Sequence, residues 1–305
     1  MAESAAQQAR RREWLLAATP WVFVLIWSTG FVVARYAMPH SPPLTFLSWR
    51  YVFSLLAFAL WLTWVPGRWP RGAAQWGHLA VSGALMHAGY LGGVWAAIRA
   101  GIPAGTVALV VGLQPVLTAL WVSSRGAHRI APLQWLGLLL GLGGLLLVVW
   151  PKLGGGEVTP FNLGLSVLAL LSITIGTLYQ KRHVKPSDVR CANFVQIAAA
   201  FVITLPAAVF ESGALDWHAE LIGALIWSVL GLTLGGSSLF MLLIQRGAAT
   251  RVASLLYLVP PCTAVLAWWL FGEAMGVGGW SGMALCVVGV GLVLRSSAAA
   301  RERGG

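Results

Sequence analysis

The sequence predicts an all-α integral membrane protein whose ten transmembrane helices form two inverted five-helix repeats, with the N and C termini in the cytoplasm. Three observations predict it. Of 305 residues, 58% are hydrophobic and 10% are charged. The apolar residues come in runs of about 20, long enough to cross a bilayer and apolar on sides that water would not tolerate. Laid on itself at a shift of 146 residues, the chain places its first five runs over its last five.

Windows of about 19 residues give spans at 15–35, 43–65, 74–98, 102–123, 133–150, 161–181, 190–210, 219–245, 249–271 and 277–295. Connections are short, and the longest, PKLGGGEVTP (Pro151 to Pro160), separates the fifth and sixth spans. The expected division is a cytoplasmic tail (1–14), a first repeat (15–150), an extracytoplasmic linker (151–160), a second repeat (161–295) and a cytoplasmic C-terminal tail (296–305). No soluble domain fits. The first span follows a polar, then basic, segment and has no small-residue cleavage pattern after it, so no removable signal peptide is expected.

Charge sets the orientation. With both termini inside, sixteen Lys and Arg residues fall on inner segments, and only Arg35, Arg50, Arg99 and Lys152 fall on the outer side. That positive-inside bias accounts for the net charge of +11 as topology, and no nucleic-acid partner is expected. The outer segment between the seventh and eighth spans is acidic, with Glu211, Asp216 and Glu220. Cys191, Cys262 and Cys286 are odd in number and widely spaced. Neither a disulfide frame, a metal site nor a cofactor is expected from them.

At the shift of 146, Leu25 falls on Leu171, Gly30 on Gly176, Gly89 on Gly235, Ile98 on Ile244, Gly101 on Gly247, Leu109 on Leu255 and Pro115 on Pro261. Span boundaries and intramembrane prolines agree at the same shift. Five crossings are an odd number, so the halves take opposite orientations. Such an inverted repeat is a transporter architecture, with a substrate site expected near the midplane between repeats.

Three stretches carry a family resemblance. IWSTGFVVARYAMPHSPPLTFLSWRY (Ile26 to Tyr51) resembles the first two helices of EamA-type members of the drug/metabolite transporter superfamily. IRAGIPAGTVALVVGLQPVLTALW (Ile98 to Trp121) resembles their third-to-fourth helix junction. The segment Gln245 to Leu294 resembles their last two helices, with the F-G-E motif at Phe271, Gly272 and Glu273 and a W-x-G at Trp280 and Gly282. The resemblance implies ten helices in two inverted repeats around a central cavity, formed mainly by helices three, four, eight and nine with help from one and six. It also implies export of amino acids or related metabolites. One departure is SSRGAHRIAP (Ser123 to Pro132), which lacks the acid that many members repeat in the first half.

All nine acids lie in tails, loops or span ends, and none falls in the first span. Carboxylate-based cation antiport and a preference for cationic drugs are thereby disfavoured. His87 is read as the one titratable side chain near a span's centre apart from tyrosines, with Tyr90 and Val94 on its helix face. It is either a histidine bonded to a neighbouring helix or a cavity group that holds substrate or a proton. Around it the resemblance places Gln114, Ser237, Ser238, Ser254 and Tyr257, with Trp27, Ser28, Thr174, Thr177 and Tyr179 as weaker candidates. Each alone also reads as helix packing or an interfacial aromatic. As a set they describe a polar, aromatic and nearly uncharged pocket suited to a zwitterionic or neutral small molecule; an organic phosphate would want Arg or Lys there. Arg50 matches an arginine of that resemblance and is read as snorkelling to the outer interface, with a structural bond to a helix end preferred to substrate contact as the alternative.

Gly137, Gly141 and Gly144, and Gly278 with Gly282, have spacing that permits close helix approach, explained more simply within the chain than by dimerisation; a homodimer is neither required nor excluded. GGSS (Gly235 to Ser238) has no acid or histidine to complete a catalytic set, so no enzyme is expected. Pro115 and the Pro260–Pro261 pair are expected to mark two pseudo-symmetric bending points, as hinges or as static kinks. The whole predicts a multi-pass protein of the bacterial inner membrane that exports amino acids or related metabolites by alternating access, with the lipid bilayer and a small-molecule substrate as partners. A broad drug efflux transporter and a non-transporting scaffold are the alternatives.

Overall fold

The computed structural model describes residues 21–124, 132–154, 156–245, 258–273 and 276–302, and every regular element among them is helical. The helices are α1 (Trp21–Ala37), α2 (Pro43–Trp64), α3 (Ala73–Arg99), α4 in two pieces (Ala104–Val111 and Gln114–Ser124), α5 (Pro132–Gly154), α6 (Pro160–His183) and α7 (Val189–Val209). They are followed by α8 in three continuous stretches (Ala219–Trp227, Ser228–Ser237 and Ser238–Gln245), α9 (Val259–Phe271) and α10 (Val277–Glu302). By length and composition α2, α3, α6, α7 and α8 can each cross a bilayer, and α1, α4, α5, α9 and α10 contain shorter apolar stretches. Large apolar side chains face outward, among them Leu139 at 64% exposure, Val202 at 68% and Trp269 at 73%. Hydrocarbon is the solvent that suits such a surface.

Local chemistry sets the helix starts. Proline occupies the first turn of α2, α6 and α9, where its missing N–H has no helical partner to lose. Thr159 caps α6 by accepting from the Asn162 amide at 3.2 Å, while Asn162 Oδ1 accepts from Thr159 N at 2.9 Å. Asp188 caps α7 and pairs with Arg190 at 2.8 Å. Burial disfavours the Asp188 carboxylate, but the Arg190 bonds outweigh it and hold its pKa below the usual value.

Connections gather at two ends. At one, Arg99 donates to the Met38 carbonyl, Asn162 Nδ2 to the Ala100 carbonyl at 3.1 Å, and His40 lies between Asp216 and Glu220, each at 3.2 Å. There too Glu211 accepts the Leu44 and Thr45 amides at the start of α2, at 2.9 and 2.7 Å. Glu273 does the same for α4 through the Ala104 and Gly105 amides at 3.3 and 3.5 Å. A carboxylate at a helix N-terminus meets free N–H groups and the positive end of the dipole. At the other end, Gln75 exchanges hydrogen bonds with the Lys185 backbone and Arg190 donates to the Val65 carbonyl.

Two details shape the interior. The ladder of α3 widens to π-helical form at Ala84–Gly89, and that of α8 at Ser228–Ser237. The shift of 146 residues lays the first stretch inside the second. Secondly, α4 is broken at Gly112 and Leu113, and Pro115 is the second residue of the piece that follows. The break thus falls in the turn before Pro115, the turn whose bonding a proline disturbs, and the proline stands where a missing N–H costs least. Pro260 and Pro261 likewise lie in the first turn of α9. Helices α5 and α10 pack along their length, and Gly144 meets Gly282 so closely that a β-carbon on either would strike the other's carbonyl. Gly278 faces open space instead.

Candidate functional site

A cavity among α1, α2, α3, α6, α7 and α8 encloses about 680 Å³, its mouth included. A second chamber of about 430 Å³ adjoins it along α4 and α9, and the two share Trp27, Phe31, Tyr90, Ile173 and Phe240. The walls are aromatic: Trp27 stacks on Phe240 with ring centroids 5.3 Å apart, and Phe46 on Trp95 at 4.4 Å. Such surfaces bind the apolar part of a small molecule, while a few polar groups orient it.

Of the residues singled out in the sequence, His87, Tyr90 and Ser237 line the main chamber, and Gln114, Pro115 and Pro260 line the second. Trp27 and Tyr90 border both chambers. Gln114 Nε2 donates to Thr177 Oγ1 at 3.1 Å, tying α4 to α6. Ser237 Oγ donates to the Leu232 carbonyl at 3.3 Å. Ser238 lines neither chamber, and its hydroxyl is buried without a hydrogen-bond partner among the described residues. Pro261 is half-buried and lines neither. Ser28 and Thr174 bond carbonyls of their own helices at 2.7 and 2.6 Å, and Tyr179 bonds His78 at 2.8 Å. Ser254 and Tyr257 lie outside the described residues.

The structure corrects two readings. Arg50 does not snorkel: it is 4% exposed, lines the main chamber, and lies about 10 Å along α2 from its first residue. Its Nε and Nη2 donate to Thr233 Oγ1 on α8 at 3.2 and 3.1 Å. The pocket is therefore not nearly uncharged, and His87 is not its sole titratable group besides tyrosine. The cause is the direction of residue 50 on its helix, toward α8 rather than lipid.

Four further lining or supporting groups went unnoticed in the sequence: Thr233, Gln196, Asn193 and Gln180. Gln196 on α7 lines the main chamber with His87, and its Nε2 reaches Ser82 Oγ at 3.3 Å and Gln180 Oε1 at 3.4 Å. Ser82 donates to Gln180 at 2.9 Å, closing the network. Gly83 allows this approach, since a β-carbon there would strike the Gln196 carbonyl. The π-helical stretches present both partners. His87 lies in the first, where its carbonyl accepts the Tyr51 hydroxyl at 2.9 Å. Thr233 lies in the second and donates to Ser228 O, five residues back, at 2.9 Å.

The signal for the missed residues was in the repeat. The shift of 146 carries Arg50 onto Gln196 and His87 onto Thr233. The pair Arg50–Thr233 thus becomes Gln196–His87, with the halves exchanged. Apolar contacts recur in the same way: Gly30 packs on Leu232 and Gly176 on Met86, while Gly89 packs on Ser172 and Gly235 on Ile26.

Comparison with known proteins fits this geometry. A family model described as "EamA-like transporter family" matches residues 15–150 and 161–295. The chain is 24% identical over 279 residues to "Uncharacterized transporter YvbV" of Bacillus subtilis (strain 168), covering 90% of each chain. It is 26% identical to "Uncharacterized inner membrane transporter YedA" of Escherichia coli (strain K12), over 88% of this chain and 87% of that one. It is also 26% identical to a "Probable amino-acid metabolite efflux pump" of Salmonella typhimurium, over 83% and 85% of the two. A solved structure described only as "Crystal structure of protein" superposes with a TM-score of 0.66 at 17% identity, covering 94% of this chain and 98% of that one, a likeness of fold.

Proposed function

We propose, since the chain belongs to the EamA-like transporter family, that it exports amino acids or related small metabolites across the bacterial inner membrane by alternating access. The observation that carries this reading is an aromatic cavity in which the bonded Arg50 and Thr233 on one side, and Gln196 and His87 on the other, occupy positions related by the internal shift. Both halves, 15–150 and 161–295, contribute walls, so movement of one against the other opens the cavity at either end.

Opposite orientation of the halves is supported by the ends of the helices. The C-terminal end of α1 joins the C-terminal end of α3 through Arg99, and that end of α3 joins the start of α6 through Asn162. Helices α1 and α6, first in their halves, therefore run oppositely, as inverted repeats require. The positive-inside bias puts the end holding His40, Glu211 and Glu273 outside. The bending points proposed are the α4 break and the start of α9, which touch: a β-carbon on Gly112 would lie 2.6 Å from Pro260 Cγ.

The relatives named as amino-acid metabolite efflux pumps favour a metabolite over a drug. The expected result is efflux of labelled amino acids from proteoliposomes holding the purified chain. Transport of a lipophilic cation such as tetraphenylphosphonium, with no zwitterion moved, refutes the reading.

A further inference from the structure

A guanidinium buried in hydrocarbon costs about 2.5 to 3.5 kcal/mol on insertion scales, so it is held where something neutralises it or where it works. Arg50 has a hydroxyl for a partner: both of its hydrogen bonds among the described residues go to Thr233 Oγ1. A hydroxyl accepts hydrogen bonds but carries no charge, and a guanidinium has five N–H donors to satisfy. Glu211, Glu273, Asp188, Asp216 and Glu220 are engaged at the helix ends, and among the described residues no acid lines the cavity. The equivalent position in the other half is Gln196, uncharged. Among the described residues the cavity therefore presents one guanidinium with donors beyond those that Thr233 accepts, in the same lining as Trp27, Tyr90 and Trp95.

We propose that Arg50 receives a carboxylate of the transported molecule, whose other end meets His87 and Gln196. The proposal rests on the transport reading and narrows its substrate class to small carboxylates, zwitterionic or plain. A guanidinium fork matches the two oxygens of a carboxylate, and binding supplies the missing negative charge. A single cation suits a single negative charge; an organic phosphate dianion would leave one charge unmatched in a dry site. The aromatic walls then take an apolar side chain.

Thermal stabilisation of the purified full chain tests this. The probes are the standard L-amino acids, their α-amides, the matching acids without the amino group, and glycerol 3-phosphate. An amide keeps size and ammonium group but loses the anion. The expected result is that at least one acid stabilises with a half-saturating concentration about tenfold or more below that of its amide. In Arg50→Gln that preference disappears. Arg50→Lys, which serves if Arg50→Gln does not fold, keeps the preference but needs more ligand, because the charge remains and the fork is lost. A structural arginine would instead shift acid and amide equally. Amino acids and plain acids stabilising alike, or amino acids alone, separate a carboxylate site from one that also reads the ammonium group; either supports Arg50 as receiver. Amides binding as well as acids, acid preference surviving Arg50→Gln, tighter binding of glycerol 3-phosphate, or no stabilisation by any carboxylate overturns the proposal. Binding without efflux would overturn the exporter reading alone.

Discussion

The two halves of the chain solve the same packing problem with different chemistry. Arg50 reaches across to Thr233, whereas Gln196, at the equivalent place in the second half, faces the cavity with His87 and bonds Ser82 and Gln180. Glycine contacts repeat just as faithfully, Gly30 on Leu232 and Gly176 on Met86. What differs is chemistry: one side of the cavity carries a buried guanidinium and the other an amide and an imidazole. On the proposed alternating-access reading, the scaffold keeps its pseudo-symmetry because two similar end states need similar packing, and the site gives it up because a small asymmetric ligand has distinguishable ends.

The largest effect should come from Gly83, whose equivalent in the second half is Val229. Gly83 abuts the Gln196 backbone, whereas Val229 is buried at 6% exposure and already has room for its side chain. Gly83→Val should force α3 from α7, at about 3 kcal/mol or more, and disturb the His87–Gln196 pair. Val229→Ala should cost about 2 kcal/mol by lost apolar contact and leave ligand preference intact. Thermal unfolding in detergent, with and without ligand, measures both. Equal losses at the two positions would mean that the crossings are alike after all.

A smaller effect should come from the helix ends. Glu273 caps α4, but its equivalent in the first half is Ala127, which has no carboxylate to offer. Glu273→Gln should lower stability by about 0.3 to 1 kcal/mol, more at low salt than at high, since the dipole interaction is screened. An effect independent of salt would assign Glu273 a different role. This capping also gives a physical reason for the F-G-E sequence: Gly272 ends α9 at a φ of 63°, a left-handed turn that suits glycine and delivers the next residue to the start of α4.

Hydropathy made the helices legible. The expected starts at 43, 74, 161, 190, 219 and 277 lie within one residue of those observed, because apolar runs and their Gly and Pro boundaries are local signals. His87 was legible as a lone imidazole in an apolar run. Arg50 was misread because distance from a helix end does not say which way a side chain points. Its direction depends on α8, which lies nearly two hundred residues away in the chain. Ser238 was misplaced for a related reason. In the widened ladder of α8 the usual spacing no longer assigns faces, so its neighbour Ser237 reaches the cavity and Ser238 does not. Pro115 drew attention to the right place, but the break itself falls at Gly112 and Leu113, just before it.

The central claim is one cavity that opens to either side and closes around its ligand. A single cysteine introduced as Val94→Cys, on the chamber wall, tests it most directly once Cys191, Cys262 and Cys286 are replaced. The measurement is the rate of modification by a membrane-impermeant thiol reagent in right-side-out and inside-out vesicles. Modification from both sides, slowed in each case by an amino acid that stabilises the protein, is the predicted result. Access from one side only, or rates that no such amino acid changes, would contradict it.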